Sequence, residues 1–218
     1  MTLHPRRTAV LGAALAAAFA LQPIAHADGA PGQQASPVAP DVRHGLVKDG
    51  GFETPVVAPP GADHQTFTDG QNLGPWLVST PVGQTPGSGE VDLTNNLDFQ
   101  PYEGKQSLDL NGLAPGAVSQ TFETTRNTAY TVTYALAGNV DGPPAIKTGD
   151  VRIDGQLFQK FSFDTTGKTK TNMGWVKHAL TFVATGPSTT LTFESTTPAD
   201  FGPVIDDVNV TRSPREEH

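Results

Sequence analysis

The chain has 218 residues, with 14 lysines and arginines against 22 aspartates and glutamates and a formal net charge of −8 at pH 7. This acidic balance argues against binding to nucleic acid or to an anionic lipid surface, because both partners require a basic face. The sequence contains no cysteine. A folded domain must therefore rely on an ordinary hydrophobic core, which a bound metal ion could assist.

The first 27 residues are predicted to form a signal peptide. Arg6 and Arg7 make a basic start, an apolar run extends from Thr8 to Leu21, and Ala25-His26-Ala27 is a small-x-small cleavage site. The apolar run is short for about 30 Å of hydrocarbon. We therefore expect Sec export, or twin-arginine export because the arginines are paired, and a secreted product without membrane association. An uncleaved N-terminal anchor is the alternative.

The segments that flank the predicted domain are polar. Residues 28–44 are mostly Ala, Pro, Gly, Gln and Ser, a composition typical of a flexible linker. We expect the folded domain to occupy residues 45–212. Residues 213–218 are short and charged, without a hydrophobic anchor or a sorting pattern, and are predicted to be a disordered tail.

Short segments with alternating polarity and β-branched or aromatic residues, separated by Gly, Pro, Asn and Asp, fill the domain. In Ala129–Ala137 the residues Tyr130, Val132, Tyr134 and Leu136 share one face. About ten such strands without helical crossovers predict an all-β fold, an antiparallel two-sheet β-sandwich with jelly-roll topology as the leading version. The other predicted strands are Ser107–Asn111, Val118–Glu123, Val151–Asp154, Leu157–Phe163, Trp175–Val183, Thr189–Glu194 and Val204–Thr211.

The connections between strands carry turn signals. Asp154-Gly155 between two predicted strands indicates a two-residue β-hairpin. Residues 55–74 and 79–90 are rich in Pro and Gly and are predicted to be long loops, which in a compact domain are usually functional or disordered.

Six motifs in a fixed order resemble the DUF642 proteins of plant cell walls, and more closely their bacterial relatives, the choice-of-anchor C proteins. The resemblance covers about residues 45–210. It implies a galactose-binding-like β-sandwich, a fold shared with many carbohydrate-binding modules, and an extracellular or cell-wall setting. The bacterial relatives commonly end in an anchoring segment that this sequence does not show. The motifs are Asp49-Gly-Gly-Phe-Glu53, Glu103-Gly-Lys-Gln-Ser-Leu-Asp-Leu-Asn-Gly112, Val118-Ser-Gln-Thr-Phe122, Leu136-Ala-Gly-Asn139, Asn172-Met-Gly-Trp175 and Gly202-Pro-Val-Ile-Asp-Asp-Val208.

Acids near the two ends of the domain are candidates for a structural Ca²⁺ site. Glu53 and Asp206 could supply carboxylate oxygens, with a backbone carbonyl from Lys105, and so tie the first and last strands together. Alternation along the last strand predicts that Asp206 points inward, where an unpaired carboxylate is costly. The similar termini of jelly-roll carbohydrate-binding modules imply the same calcium. The alternative is that both acids cap turns or accept backbone N–H bonds.

Sugar binding requires an aromatic platform for the apolar face of the ring and short polar side chains for its hydroxyls. Tyr102 and Phe99, in a polar loop, are expected to be exposed. Trp76 and Trp175 are further candidates, although both also occupy positions typical of core aromatics. The candidate polar partners are Asn95, Asn96, Asp98, Asn139 and Asp141.

Motifs for catalysis are lacking. The sequence has no His-Glu-x-x-His spacing and no Gly-x-Ser-x-Gly elbow. We therefore predict a secreted, non-catalytic module that binds a polysaccharide or cell-wall glycan. The main alternative is an extracellular interaction or matrix module that contacts a cell-wall protein. A glycoside hydrolase ranks third, since it would need a deep cleft with two carboxylates, one of them with a raised pKa.

Overall fold

A computed structural model describes residues 45–214, and the predicted signal peptide, the linker and residues 215–218 lie outside this range. The described residues contain strands and turns but no helix, so none of them forms a helix that could span a membrane. Twelve strands occur: β1 (His64–Thr68), β2 (Asn72–Leu73), β3 (Trp76–Ser79), β4 (Glu90–Asn95), β5 (Gln106–Asp109), β6 (Ala117–Glu123), β7 (Ala129–Gly138), β8 (Ile146–Ile153), β9 (Gln156–Asp164), β10 (Val176–Val183), β11 (Ser188–Ser195) and β12 (Pro203–Arg212).

The strands form two antiparallel sheets of six strands each. The first sheet has the order β1-β4-β5-β12-β7-β10, and the second has the order β2-β3-β6-β11-β8-β9. The predicted all-β, antiparallel two-sheet sandwich is confirmed. Because β5 and β12 lie side by side at the centre of the first sheet, residues distant in sequence come together there.

The core lies between the sheets, where side chains at alternate positions meet. In β7 the four predicted core residues Tyr130, Val132, Tyr134 and Leu136 are all buried. Tyr134 packs edge-on against Phe193 of the second sheet, with ring centroids 4.9 Å apart. The period-two pattern of this long strand therefore identifies its core face correctly.

The β8–β9 connection is the predicted two-residue hairpin. Asp154 and Gly155 both have positive φ, 49° and 76°, and Ile153 pairs with Gln156. A type I′ turn requires positive φ at both central positions, which explains the Asp-Gly pair.

The prediction of a loop over residues 55–74 is wrong in part. β1 and β2 lie within it, and Phe67 and Leu73 contribute buried side chains. These strands are only five and two residues long, and the surrounding Pro and Gly residues obscure their alternation. Ser213, expected to begin a disordered tail, donates its N–H to the Ala129 carbonyl at 2.9 Å.

β12 contains a bulge that reorients its acids. Ile205 pairs with the core residues Leu108 and Leu136, so the adjacent Asp206 points to the outer face of the first sheet. Asp206 is nevertheless fully buried, because the loop of residues 96–105 covers it. The inward direction predicted for Asp206 is therefore wrong, although its predicted burial is correct. The register shift follows immediately, and Asp207 has a φ of 47°.

Candidate functional site

A polar cleft of about 310 Å³ lies on the outer face of the first sheet. We call it the cleft. Strands β1, β4 and β5 form its floor, and loops that follow β4 and β7 and precede β10 and β12 form its walls. Its lining residues are Asp63, His64, Thr66, Asp92, Thr94, Asp98, Phe99, Asp109, Gly112, Leu113, Asn139, Asp141, Lys170, Asp200 and Phe201.

The floor of the cleft contains a row of paired residues across three strands. Thr66 pairs with Asp92, and Asp92 pairs with Asp109. Their strand neighbours Leu93 and Leu108 are core residues, so all three polar side chains point outward. The Thr66 hydroxyl donates to Asp92 Oδ1 at 2.6 Å. Two aspartates thus face each other directly on one surface.

Both aspartates have raised pKa values, with burial as the main cause. Burial raises the pKa of Asp109 to about 8, the Asp92 carboxyl adds to the increase, and the hydrogen bond from Asn139 opposes it. Burial also raises the pKa of Asp92. Since a buried carboxyl is neutral below its pKa, Asp109 is mainly protonated at pH 7.

Two asparagines hold Asp109 in place. Asn139 Nδ2 donates to Asp109 Oδ2 at 2.7 Å, and the Asn111 N–H donates to Asp109 Oδ1 at 2.9 Å. Asn111 Nδ2 donates to the carbonyls of Thr197 and Ala199. Asn111 Oδ1 is buried and accepts no hydrogen bond from any residue of the range 45–214. This network joins β5 and β7 to the segment that precedes β12.

Lys170 lies in the wall of the cleft, and a second lysine, Lys147, lies behind the wall near Phe201. Lys170 Nζ is 2.7 Å from a carboxylate oxygen of both Asp98 and Asp141, and it lies 5.3 Å from the centre of the Phe99 ring. Lys147 is fully buried and donates from Nζ to the Gly142 carbonyl at 2.8 Å. Burial lowers the pKa of Lys147, and the Asp109 carboxyl opposes this decrease.

An aromatic pair lies beside the cleft. The Tyr102 and Trp175 rings are 6.1 Å apart at 70°, and Trp175 Nε1 donates to the Gln100 carbonyl at 2.9 Å. Tyr102 is 42% exposed. Lys177 Nζ lies 5.1 Å from the centre of the Tyr102 ring. The pair adjoins the cleft through the loop of residues 96–105, which places Phe99 in the cleft wall and Tyr102 on the surface.

The predicted calcium ligands bind backbone N–H groups. Glu53 Oε1 accepts the N–H groups of Lys105 and Gln106 at 2.7 and 3.0 Å. Asp206 Oδ2 accepts those of Tyr102 and Glu103 at 2.9 and 3.0 Å, and its Oδ1 accepts that of the next residue at 2.6 Å. The Lys105 carbonyl accepts an N–H at 3.1 Å. Within residues 45–214 no three His, Cys, Asp or Glu residues form a group suited to a metal ion. These contacts fit the alternative that Glu53 and Asp206 accept backbone N–H bonds better than they fit a bound cation. The calcium site stays a prediction.

The remaining predicted site residues divide between the core and the cleft. Trp76 is fully buried, packs on Phe52 at 5.4 Å and donates from Nε1 to the Asp49 carbonyl, so it cannot serve as a sugar platform. Phe99, expected to be exposed, is 1% exposed because it packs in the hydrophobic core, and Lys170 Nζ lies 5.3 Å from the centre of its ring. By contrast, the structure brings the predicted polar residues together, since the cleft lining includes Asp98, Asn139 and Asp141.

Two predicted polar partners, Asn95 and Asn96, are not among the residues that line the cleft. Asn95 donates from Nδ2 to the Ala62 carbonyl, and the Asn96 N–H donates to the Lys105 carbonyl, so both support the loop rather than line the cleft.

Sequence reasoning missed the floor residues Asp92 and Asp109. Asp109 lies within the second of the six motifs, which was the available signal. The other missed lining residues include Thr66, Lys170 and Phe201.

A comparison with family models decides the classification. The model described as a protein of unknown function, DUF642, matches residues 45–211. The chain belongs to this family. No curated protein matches the sequence. The narrower resemblance of this DUF642 chain to choice-of-anchor C proteins stays a prediction.

Solved structures similar to this DUF642 chain include several carbohydrate-binding modules. A family 35 module from Clostridium thermocellum has 12% identity and a TM-score of 0.45, over 67% of this chain and 97% of that one. TmCBM61, solved with beta-1,4-galactotriose, has 17% identity and a TM-score of 0.47, over 78% and 99%. The CBM22-1 xylan-binding domain from Paenibacillus barcinonensis has 19% identity and a TM-score of 0.41, over 70% and 94%. Galactotriose and xylan are the sugars named for those modules, not for this chain.

Proposed function

We propose that this DUF642 protein is an exported, non-catalytic domain that binds a polysaccharide or glycan outside the cell. The observation that carries the proposal is the aromatic pair of the exposed Tyr102 and the half-buried Trp175, beside a cleft lined with polar side chains. Aromatic rings can stack on the apolar face of a sugar, and carboxylate and amide groups can bind its hydroxyls. The pair and the cleft together supply both kinds of contact.

The pair is held in a defined position, which favours binding because little side-chain entropy remains to be lost. Trp175 is anchored through its indole N–H to Gln100, and Asp206 binds the N–H of Tyr102. Lys177 occupies one face of the Tyr102 ring and also pairs with Asp207. The platform is therefore built before any ligand arrives.

The cleft contains a carboxylate pair, the feature that a glycoside hydrolase would need, and its geometry favours a structural role. Asp109 is 1% exposed, and both of its oxygens accept hydrogen bonds from Asn111 and Asn139. A general acid must bring its proton within hydrogen-bond reach of the glycosidic oxygen. Both oxygens of Asp109 are engaged in hydrogen bonds at the floor of the cleft, and we infer that this residue shapes the floor.

Binding is tested with the purified full-length protein on a glycan array and by pull-down on insoluble cellulose, chitin and peptidoglycan. We expect Tyr102→Ala and Trp175→Ala each to weaken binding by about tenfold, the loss of one stacking contact. The control is Phe158→Ala, which removes a 47% exposed aromatic on β9. Equal losses in all three variants would contradict the platform. Blanks across every glycan would favour the cell-wall protein partner instead, and released reducing sugar would contradict the non-catalytic assignment.

A further inference from the structure

We propose that Asp109 is a positioning residue of the cleft, whose carboxyl carries a proton and donates it to Asn111 Oδ1. This hydrogen bond holds the segment of residues 197–202 in place as a wall of the cleft. The inference rests on the proposed glycan-binding function and specifies how pH regulates the same site. It goes beyond that function because it assigns a proton to one named pair of atoms.

Asn111 is oriented by its own amide nitrogen. The side chain is fully buried, and Nδ2 donates to the Thr197 carbonyl at 3.1 Å and to the Ala199 carbonyl. Turning the amide over would place Oδ1 against these two carbonyl oxygens, so the two ends of the amide are distinguished by their partners. Oδ1 accepts no hydrogen bond from residues 45–214. A buried acceptor without a donor is costly, so a donor is expected beside it.

The Asp109 carboxyl is the group that faces this acceptor. A Cβ atom built on Gly202 would lie 2.4 Å from Asn111 Oδ1 and 2.5 Å from Asp109 Oδ1, so both oxygens border the same small space. Two acceptor oxygens repel each other, whereas a protonated carboxyl has one O–H donor. The carboxyl can donate this O–H to Asn111 Oδ1 and still accept the N–H bonds from Asn111 and Asn139, at 2.9 and 2.7 Å.

The surroundings of Asp109 keep its carboxyl neutral. It is 1% exposed and forms no ion pair with a lysine, arginine or histidine of the described range. Burial raises the pKa of Asp109 to about 8, and the Asp92 carboxyl on β4 adds to the increase. Lys147 on β8 and the bonds from Asn111 and Asn139 oppose this rise in pKa. The other charged groups that line the cleft, near the start of β1 or in the walls, are Asp63, His64, Asp98, Asp141, Lys170 and Asp200.

The proton is important for ligand binding because Asn111 ties a wall of the cleft to its floor. The Nδ2 bonds of Asn111 hold the segment of residues 197–202, and Asp200 and Phe201 of this segment line the cleft. A carboxylate at Asp109 would repel Asn111 Oδ1 and weaken this connection. The bond is therefore present at pH 7 and is lost as the pH rises through about 8.

NMR titration of the purified protein between about pH 3 and pH 10 tests the inference without a ligand. The probes are the ¹³C shift of the Asp109 carboxyl carbon and the ¹⁵N–¹H signals of the Asn111 side-chain amide. We expect both to change together with one midpoint near pH 8, because loss of the proton removes the bond that Asn111 Oδ1 accepts.

Two variants distinguish this pair from the rest of the cleft floor. Asp109→Asn has an NH₂ group that can donate to Asn111 Oδ1 at every pH, so the Asn111 signals should show no transition near pH 8. The matched control Asp92→Asn makes the same substitution at the facing carboxyl and leaves the pair intact. In this control the transition should persist, with its midpoint at a lower pH because Asp92 no longer raises the pKa of Asp109.

Pull-down on insoluble cellulose, chitin and peptidoglycan at about pH 7 and about pH 9 relates the proton to the proposed function. The affinity of the wild type should fall by about fivefold or more between these two values, the loss of one buried hydrogen bond. Asp109→Asn should bind with the same affinity at both values.

Four results would overturn the inference. These are a carboxyl that titrates near its ordinary value of 3.8, Asn111 signals that do not follow the carboxyl, the same transition in Asp109→Asn, or an unchanged wild-type affinity across an intact NMR transition. If Asp109→Asn fails to fold, the wild-type titration decides alone. Failure of the proposed function is separate, since blanks on all three polysaccharides would leave the NMR transition in place.

Discussion

Asp206 fixes the position of Tyr102, since its Oδ2 accepts the Tyr102 N–H at 2.9 Å across 104 positions of sequence. The same oxygen accepts the Glu103 N–H at 3.0 Å, and Glu53 binds the other end of this segment through the N–H groups of Lys105 and Gln106. Two carboxylates from opposite ends of the domain therefore hold the loop that presents the aromatic platform. These hydrogen bonds therefore stabilise the fold and position the candidate site at the same time.

Replacing Asp206 with asparagine tests this coupling. One carboxylate oxygen becomes an NH₂ group, which cannot accept an N–H bond, so we expect a loss of about 1–3 kcal/mol in the free energy of unfolding. Chemical denaturation measures it, and glycan affinity should fall because Tyr102 is no longer fixed. The control is Asp207→Asn, which makes the same substitution in an exposed ion pair with Lys177 and should change stability by less than about 1 kcal/mol. Similar losses in both variants would contradict the anchoring role of Asp206.

A pH titration of stability tests the neutral state of Asp109. Its pKa is about 8 in the folded protein against an ordinary value of 3.8, so the folded state retains the proton while the unfolded state has lost it. This contribution is fully present below about pH 4 and is lost as pH rises through 8. The stability of the wild type relative to Asp109→Asn should therefore fall with rising pH in this window, by up to about 1.4 kcal/mol per pH unit. Parallel curves for the two proteins would show that the carboxyl does not retain its proton.

Chelation tests the predicted calcium site. Because Glu53 and Asp206 already bind backbone N–H groups, we expect EDTA to leave the thermal midpoint within about 1 °C of its value in buffer. A ligand that binds only the folded state stabilises it by mass action. A decrease of several degrees that Ca²⁺ restores and Mg²⁺ does not would therefore confirm the calcium prediction.

The fold was predictable where the pattern along one strand was sufficient. The ten-residue β7 shows its core face through simple alternation. The Asp154-Gly155 pair is suited to the positive φ angles that its turn requires. β1 and β2 were missed because five and two residues in a Pro- and Gly-rich segment are too few for alternation to appear.

The candidate site depends on contacts between distant parts of the chain, and these are not visible in local pattern. Alternation separates the two faces of a regular strand, but the bulge between Asp206 and Asn209 breaks it, which is why the predicted direction of Asp206 was wrong. The burial of Phe99 depends on its packing in the hydrophobic core, which the polar composition of its loop does not show. Asp92 and Asp109 became a pair only through the register of β4 against β5. Asn139 and Asp141 were predicted correctly because they follow the end of β7. Polar residues that follow the end of a clearly patterned strand lie at the edge of the sheet, near the surface.

Gly202 offers a test of the packing beneath the cleft. A methyl group at this position would clash with Asn111 Oδ1 and Asp109 Oδ1, and the Gly202 carbonyl accepts the Asn139 N–H at 2.9 Å. Gly202→Ala is therefore expected to displace these side chains and to cost about 1–3 kcal/mol, as overpacking does. Gly186→Ala is the matched control, because its methyl group would meet only Ser188 backbone atoms, the nearest at 3.6 Å. Thermal unfolding of both variants measures the difference, and an unchanged midpoint for Gly202→Ala would show that the cleft floor is not tightly packed.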